Sequence, residues 1–362
     1  MALPPRLWFV NRFFHPDRSA TSQLVSDLAF HLAARGWKVS ALTSQGLYDG
    51  PGELPARETI AGVDIHRVVR ARFGRRALAG RAVDYALFYA GFARALTRLA
   101  APGDIVLAKT DPPLLSAALA PAARRAGAKL VNWLQDLYPE VALGLGVTAL
   151  APFAPALRAA RDASLRAARF NVTISPGMRA RLVARGLDAA RIRGIENWCD
   201  DAAVRPLARA DNPLARDWGL GGRFVVGYSG NLGRAHDYAT LVAAADLTRG
   251  EDMLFLVIGG GARIAPMRAE IARRGLGDRF RFLPYQDAAL LPHSLTAPDA
   301  HWLSLAPAME GLILPSKIYG VAAAGRPMLA IADPQGEIAT PVSYTHLRAH
   351  ETVLDLVCRL LL

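Results

Sequence analysis

Short unbroken apolar runs recur along the chain, each bounded by glycine, proline or polar clusters. Runs at 7–11, 38–43, 105–108, 129–134, 171–174 and 192–196 have strand length, and the central ones are mostly apolar. This is the pattern of parallel strands covered by helices on both sides. Between the first two runs, residues 21–35 space their apolar positions as an amphipathic helix, and Gly36 ends it. The chain thus opens on a βαβ unit, whose right-handed crossover makes a parallel sheet the default. Residues 60–69 alternate apolar and polar positions, as an edge strand does, and 82–101 carries Tyr85, Phe88, Tyr89 and Phe92 near helical spacing. Residues 202–213, rich in Ala, Arg, Asp and Pro, show no period and read as a linker. A second series follows, with a strand running into a glycine turn over 224–233, a strand and loop over 280–285, and strands at 253–258, 301–305 and 328–331. The fold class is therefore α/β, with a first domain over 1–201, a linker over 202–213 and a second domain over 214–340.

The chemistry concentrates where those strands end. Ligands of open α/β sheets bind outside the carboxyl ends of the strands, against loop N–H groups and the next helix. In HWLSLAPAMEGLILPSKIYGVAAAGRP (301–327) a buried strand leads through a polar loop to an apolar helix that starts near Pro315, Ser316 and Lys317. A lysine at a helix N-terminus is misplaced against the helix dipole unless an anion binds there. The alternative is a lysine that snorkels to solvent. Upstream, FVVGYSGNLG runs a strand into a glycine turn, with Arg234, His236 and Asp237 behind it, and Gly259, Gly260 and Gly261 repeat the pattern. Small residues there let the backbone approach a phosphate. In the first domain, Lys109, Asp111, Asp136 and Glu140 follow strands directly. Paired carboxylates also suit glycoside hydrolysis, but a hydrolase has no need of a nucleotide-binding second domain. The first loop lacks GxGxxG, so no dinucleotide cofactor is signalled.

Charge narrows the partners. Lys and Arg number 43 against 31 Asp and Glu, a net charge of +12. An anionic partner is favoured, while the scatter of basic residues and the lack of any nucleic-acid-binding signature argue against DNA or RNA. Arg72, Arg75, Arg76 and Arg81 cluster just before the aromatic helix and suit an anionic membrane surface. No apolar run reaches the roughly 18 residues of a membrane span. With no cationic leader before the first strand, the expected location is cytoplasmic, peripheral on the inner face of the plasma membrane. Two cysteines argue against a disulfide framework or a zinc cluster, and no Asp-x-Asp pair offers a divalent-metal site.

Six blocks in order, NWLQDLYPE, ISPGMRARLVARG, ENWCD, GYSGNLGRAHDY, RFLPYQDAALLPHSL and EGLILPSKIYGVAAAGRP, make the chain resemble the family 4 glycosyltransferases. The branch is that of bacterial O-antigen, capsule and colanic-acid sugars. The resemblance implies a GT-B fold, two Rossmann-like domains whose parallel sheets face across a cleft. It implies a nucleotide diphosphate sugar as donor, a lipid-linked or saccharide acceptor, and retaining transfer without metal or cofactor. By position, the donor would meet Gly230, Asn231, Arg234, Gly259, Gly260, Tyr285, Glu310, Gly311, Ser316, Lys317 and Tyr319. Asp111, Asp136 and Glu310 would serve catalysis. The acceptor side would take His15, Asp17, Ser19, Lys109 and Glu140, although ordinary turn and cap chemistry is the stronger account of the first three.

The chain departs from the family in three places. Asn231 and His236 stand where the family carries an Arg and a Lys on the diphosphate, so Arg234 and Lys317 would supply that charge. The family's paired glutamates fall on Leu312 and Gly320; Glu310 lies near the first place, and Ser316 and Tyr319 are the candidates for the second. From Thr340 on, TPVSYTHLRAHETVLDLVCRLLL abandons both family pattern and composition, and codons that would encode it match a transposase-type sequencing adapter. On that reading the second domain is truncated, 341–362 is not native, and His346, His350, Glu351 and Cys358 form no site. Two rival functions remain, a nucleotide-sugar epimerase of the same fold and a non-catalytic nucleotide-sugar-binding partner of a polysaccharide assembly complex.

Overall fold

The computed structural model describes residues 5–47, 52–69 and 78–339. Arg72, Arg75 and Arg76, the side chain of Arg81, and residues 341–362 lie outside the described residues. The chain divides into two compact units, Met1–Ile195 and Glu196–Leu362.

In the first unit eight described strands form one sheet: β1 (Leu7–Val10), β2 (Val39–Ser44), β3 (Arg57–Ile60), β4 (Val63–Val69), β5 (Ile105–Ala108), β6 (Lys129–Leu134), β7 (Phe170–Thr173) and β8 (Ile192–Gly194). Their order is β3-β4-β2-β1-β5-β6-β7-β8, and every neighbouring pair is parallel except β3 with β4. β1 and β2 are buried along their whole length, as sandwiched strands must be. The helix Leu78–Leu99 covers one face by sinking Phe88, Phe92 and Leu96, all fully buried, onto Trp8, Val10 and Leu42. The expected single edge strand at 60–69 is instead a hairpin. Ala61 and Gly62 both take positive φ, 47° and 80°, which is the two-residue turn whose twist matches paired strands. That turn makes β3 the edge and draws β4 inward against β2.

The second unit carries β9 (Phe224–Asn231), β10 (Met253–Gly260), β11 (Phe280–Leu283), β12 (Ala300–Ser304) and β13 (Met328–Ile331). They run parallel in the order β11-β10-β9-β12-β13. Tyr228, Phe255, Phe280 and Trp302 anchor its core, with Tyr228 and Trp302 ring centroids 4.5 Å apart. Residues 202–213, expected to be a free linker, pack on this unit. Val204 joins Leu295 and Ala324 in a small apolar cluster, and Arg209 pairs with Asp299. Asn212 caps the helix Pro213–Asp217 through Ala215 and donates to the His293 carbonyl at 2.8 Å. Polar contacts and a cap hold the segment, so the sequence shows no apolar period there.

Strand order reverses at one place in each sheet, between β1 and β5 in the first and between β9 and β12 in the second. Both reversals open a crevice at the carboxyl ends of the strands, where ligands of such sheets bind.

Candidate active site

At the crevice of the second sheet, β9 ends in Gly230 and Asn231 and β10 in Gly259 and Gly260. Gly259 has φ +124°, and a β carbon there would stand 2.3 Å from the Gly230 carbonyl oxygen. Only glycine lets the two strand ends close this far. Tyr285 lies against the turn, 3.1 Å from the place of that β carbon, and keeps half its surface exposed.

Lys317, first residue of the helix Lys317–Ala323, lies across β9. Its ammonium sits 4.1 Å from the Tyr228 ring centroid and donates to the Tyr228 hydroxyl. That hydroxyl donates in turn to the Asn231 carbonyl at 2.8 Å. No carboxylate among the described residues pairs with Lys317, and loss of hydration lowers its pKa to about 7. A ring face and one hydroxyl replace its water shell incompletely. His236 donates through Nδ1–H to the Ser304 carbonyl at 2.7 Å, which leaves Nε2 with the lone pair. Burial, and then the charge of Lys317, lower its pKa to about 4 against the opposing bond to Ser304, so it stays neutral at pH 7. Arg234 is exposed and forms no ion pair among the described residues. Asp237 accepts from Ala239 N–H at 2.8 Å at the start of the helix Ala239–Leu247.

Glu310 and Gly311 form a clasp that the sequence did not announce. The Glu310 carboxylate accepts from the Glu337 backbone N–H at 3.0 Å, and the Glu337 carboxylate accepts from the Gly311 N–H at 3.1 Å. A second acid, Glu337 beyond β13, thus stands beside Glu310 in space though not in sequence. Ser316 makes no capping bond, and the buried Tyr319 hydroxyl engages the Asn197 backbone, so Tyr319 is not open to a ribose.

In the first unit, Lys109 follows β5 and is 2% exposed. Its ammonium lies 3.9 Å from the Trp133 ring centroid and donates to the Thr21 carbonyl at 3.3 Å. Burial lowers its pKa well below the lysine range, opposed by Asp136, Asp27 and Asp111. Asp136, after β6, moves the other way. Burial raises it to about 6, offset by the Thr110 hydroxyl and by Lys109. A carboxylate that titrates there can exchange protons near neutral pH. Asp111 meets this edge through its carbonyl, which accepts from Arg12 N–H at 2.7 Å.

Glu140 is engaged elsewhere. Arg158 and Arg161 both donate to it, and Arg161 continues through Asp162 to Arg185, so this carboxylate holds a structural ion network and not an acceptor. Asp17 accepts from Ser19 N–H at 2.8 Å, the turn chemistry anticipated for it. His15 is exposed, with its ring edge-on to Phe30, and Ser19 precedes the helix Ala20–Ala34 without capping it by its side chain. Among the described residues no cluster of three or more His, Cys, Asp or Glu could hold a metal, and no helix is long and apolar enough to cross a membrane.

Two α/β units, each with a strand-order reversal in a mainly parallel sheet, have the architecture of the GT-B fold. The solved structure of Anabaena HepE, in complex with UDP and glucose, is similar at a TM-score of 0.65 and 15% identity, over 94% of this chain and 89% of that one. Residues 20–198 match the family model described as glycosyl transferase 4-like domain. WbjE of Pseudomonas aeruginosa, a protein named for glycosyltransferase activity, is 29% identical over 258 residues, which are 70% of this chain and 64% of WbjE. WcaI of Escherichia coli (strain K12), named as a glycosyl transferase of colanic acid biosynthesis, is 28% identical over 222 residues, 60% of this chain and 54% of WcaI. The matched part of the chain spans less than two thirds of either relative. Over these stretches the chain is similar to family 4 glycosyltransferases.

Proposed function

We propose that the protein moves a sugar from a nucleotide diphosphate sugar to a lipid-linked or saccharide hydroxyl in cell-surface polysaccharide biosynthesis. The observation that carries this reading is Lys317, a lysine without a carboxylate partner among the described residues, held over Tyr228 beside two glycine turns at the reversal of the second sheet. Such a site offers a departing diphosphate what it lacks, namely positive charge already in place. Arg234 adds a second, more exposed charge, and neutral His236 offers Nε2 to a sugar hydroxyl. Tyr285 presents an aromatic face to a base. HepE was solved with UDP and glucose, and WcaI is named for colanic acid biosynthesis, which supports a nucleotide-sugar donor and a polysaccharide product. Retention and independence from metal follow from the family resemblance, and the arginine cluster before the helix Leu78–Leu99 suits a membrane-borne acceptor.

A panel of nucleotide sugars, read first by thermal shift and then by transfer to acceptor, tests the proposal. A ligand that binds the native state at 100 times its Kd stabilises it by about 2.7 kcal/mol, which a melting curve registers. No shift with any nucleotide sugar would refute the reading, and sugar product formed without acceptor would favour an epimerase.

Asp136 gives this proposal a pH signature. Its raised pKa means that the carboxylate form is gained as pH rises through about 6. If Asp136 accepts a proton during transfer, the rate climbs across that interval, and Asp136→Asn removes the acid limb along with most of the activity. A pH profile of the same shape in Asp136→Asn would discard the role.

A further inference from the structure

Four arginines among the described residues are deeply buried, and three of them have partners. Arg67 meets Glu58, Arg161 meets Glu140 and Asp162, and Arg279 donates to the carbonyls of Ala245, Thr248 and Glu251. The fourth is Arg12. It stands two residues past Val10, whose partner across the β1–β5 pair is Ala108, and so at the reversal of the first sheet. Its backbone is fixed there: the N–H donates to the Asp111 carbonyl, and the carbonyl accepts from Ser44 N–H and from the Thr43 and Ser44 hydroxyls. The residue is only 9% exposed.

Around the guanidinium are rings. Its central carbon lies 4.7 Å from the Phe88 ring centroid, 4.8 Å from that of Phe13 and 5.9 Å from that of Tyr85. No carboxylate among the described residues comes within ion-pair distance of it, its guanidinium makes no hydrogen bond with them, and Nε is buried with no acceptor. An arginine cannot shed its proton to escape this. Aromatic faces attract the cation but do not satisfy the N–H fork in its plane, and that fork matches two oxygens of one anion.

We propose that Arg12 anchors an oxyanion, a phosphoryl or carboxylate group, carried by the acceptor at the carboxyl edge of the first sheet. A neutral hydroxyl would leave the buried charge uncompensated, whereas an oxyanion completes it. The word acceptor rests on the transferase reading; the anion site itself does not.

Calorimetry on the full chain tests this with farnesyl diphosphate as the probe, UDP being held at saturation. The wild type is expected to bind the probe with UDP present. Arg12→Gln lowers that affinity at least tenfold and leaves UDP binding as it was, and Arg12→Lys, which keeps the charge but loses the fork, falls between. Displacement of the probe by inorganic pyrophosphate assigns the site to phosphoryl groups of any source. Binding of glucuronate in place of the probe, abolished in Arg12→Gln, assigns it to carboxylates.

The inference is overturned if wild type binds neither probe nor glucuronate when UDP is saturating. It is equally overturned if Arg12→Gln binds them as wild type does. Should Arg12→Gln fail to fold, the wild-type measurement and Arg12→Lys decide, wild-type affinity in Arg12→Lys counting against the fork. Lys317→Ala separates the two readings: it should weaken UDP and spare the farnesyl probe. UDP affinity unchanged in Lys317→Ala strikes at the donor site and leaves Arg12 standing.

Discussion

Lys317→Ala is expected to lower transfer by at least about tenfold, the scale of one charge-assisted hydrogen bond of roughly 1.5–3 kcal/mol to the donor diphosphate. Arg234→Ala should cost less and lose its effect in salt, because an exposed charge is screened over about 10 Å at 0.1 M. Lys317 also sets a pH dependence. In the empty site its pKa is lowered to about 7, and a bound diphosphate raises it, so donor binding takes up a proton. Donor affinity is therefore full below pH 7 and declines as pH rises above it. Calorimetry in buffers of different ionisation enthalpy measures the uptake directly. Unchanged rate and donor affinity in Lys317→Ala would remove the site assignment.

Gly259→Ala should be strongly damaging for a change of one methyl. Its backbone, at φ +124°, lies where an L side chain costs about 1–3 kcal/mol. The new methyl would also meet the Gly230 carbonyl at 2.3 Å, and backbone cannot step aside as a flexible side chain can. The two costs add at one point, so a fall in melting temperature of several degrees is expected, at about 2–4 °C per kcal/mol for a domain of this size. Donor affinity falls with it, because the turn spreads. Gly250→Ala is the matched control, since a β carbon there meets nothing within 4 Å and its φ is not in the left-handed region. Equal melting temperatures for the two variants would refute the strained-turn account.

What the sequence made legible was whatever leaves a local mark. Strands buried on both faces appear as unbroken apolar runs, and so the central strands of both sheets could be placed from LWFV or MLFLVI alone. Lys317 was legible because a cation at a helix start conflicts with the helix dipole. Glu337 was not, because its bond to Gly311 joins segments that only the fold brings together. Arg12 left no signal either: an arginine after a strand looks the same whether it is paired or not. The hairpin at Ala61 was hidden for a different reason. Alanine rarely takes positive φ, so the turn lacked the Asn-Gly or Asp-Gly signature that would have divided 60–69. Glu140 differs in the opposite sense, since a carboxylate after a strand looks free to meet an acceptor until its arginines arrive from a helix 18 and 21 residues onward.

On the proposed role of Glu310 in donor binding, its clasp with Glu337 makes that loop and the segment after β13 competitors for the same hydrogen bonds. A sugar hydroxyl that takes the Glu310 carboxylate must share it with, or displace, the Glu337 amide, and one that approaches the Gly311 N–H meets the Glu337 side chain. By reciprocity, whatever the ligand does to the docking of 333–337, that docking does to the ligand, and by the same factor. Substrate occupancy of the loop is then readable at a distance, as a change in amide-exchange protection at Glu337, a residue with no need to touch the substrate at all.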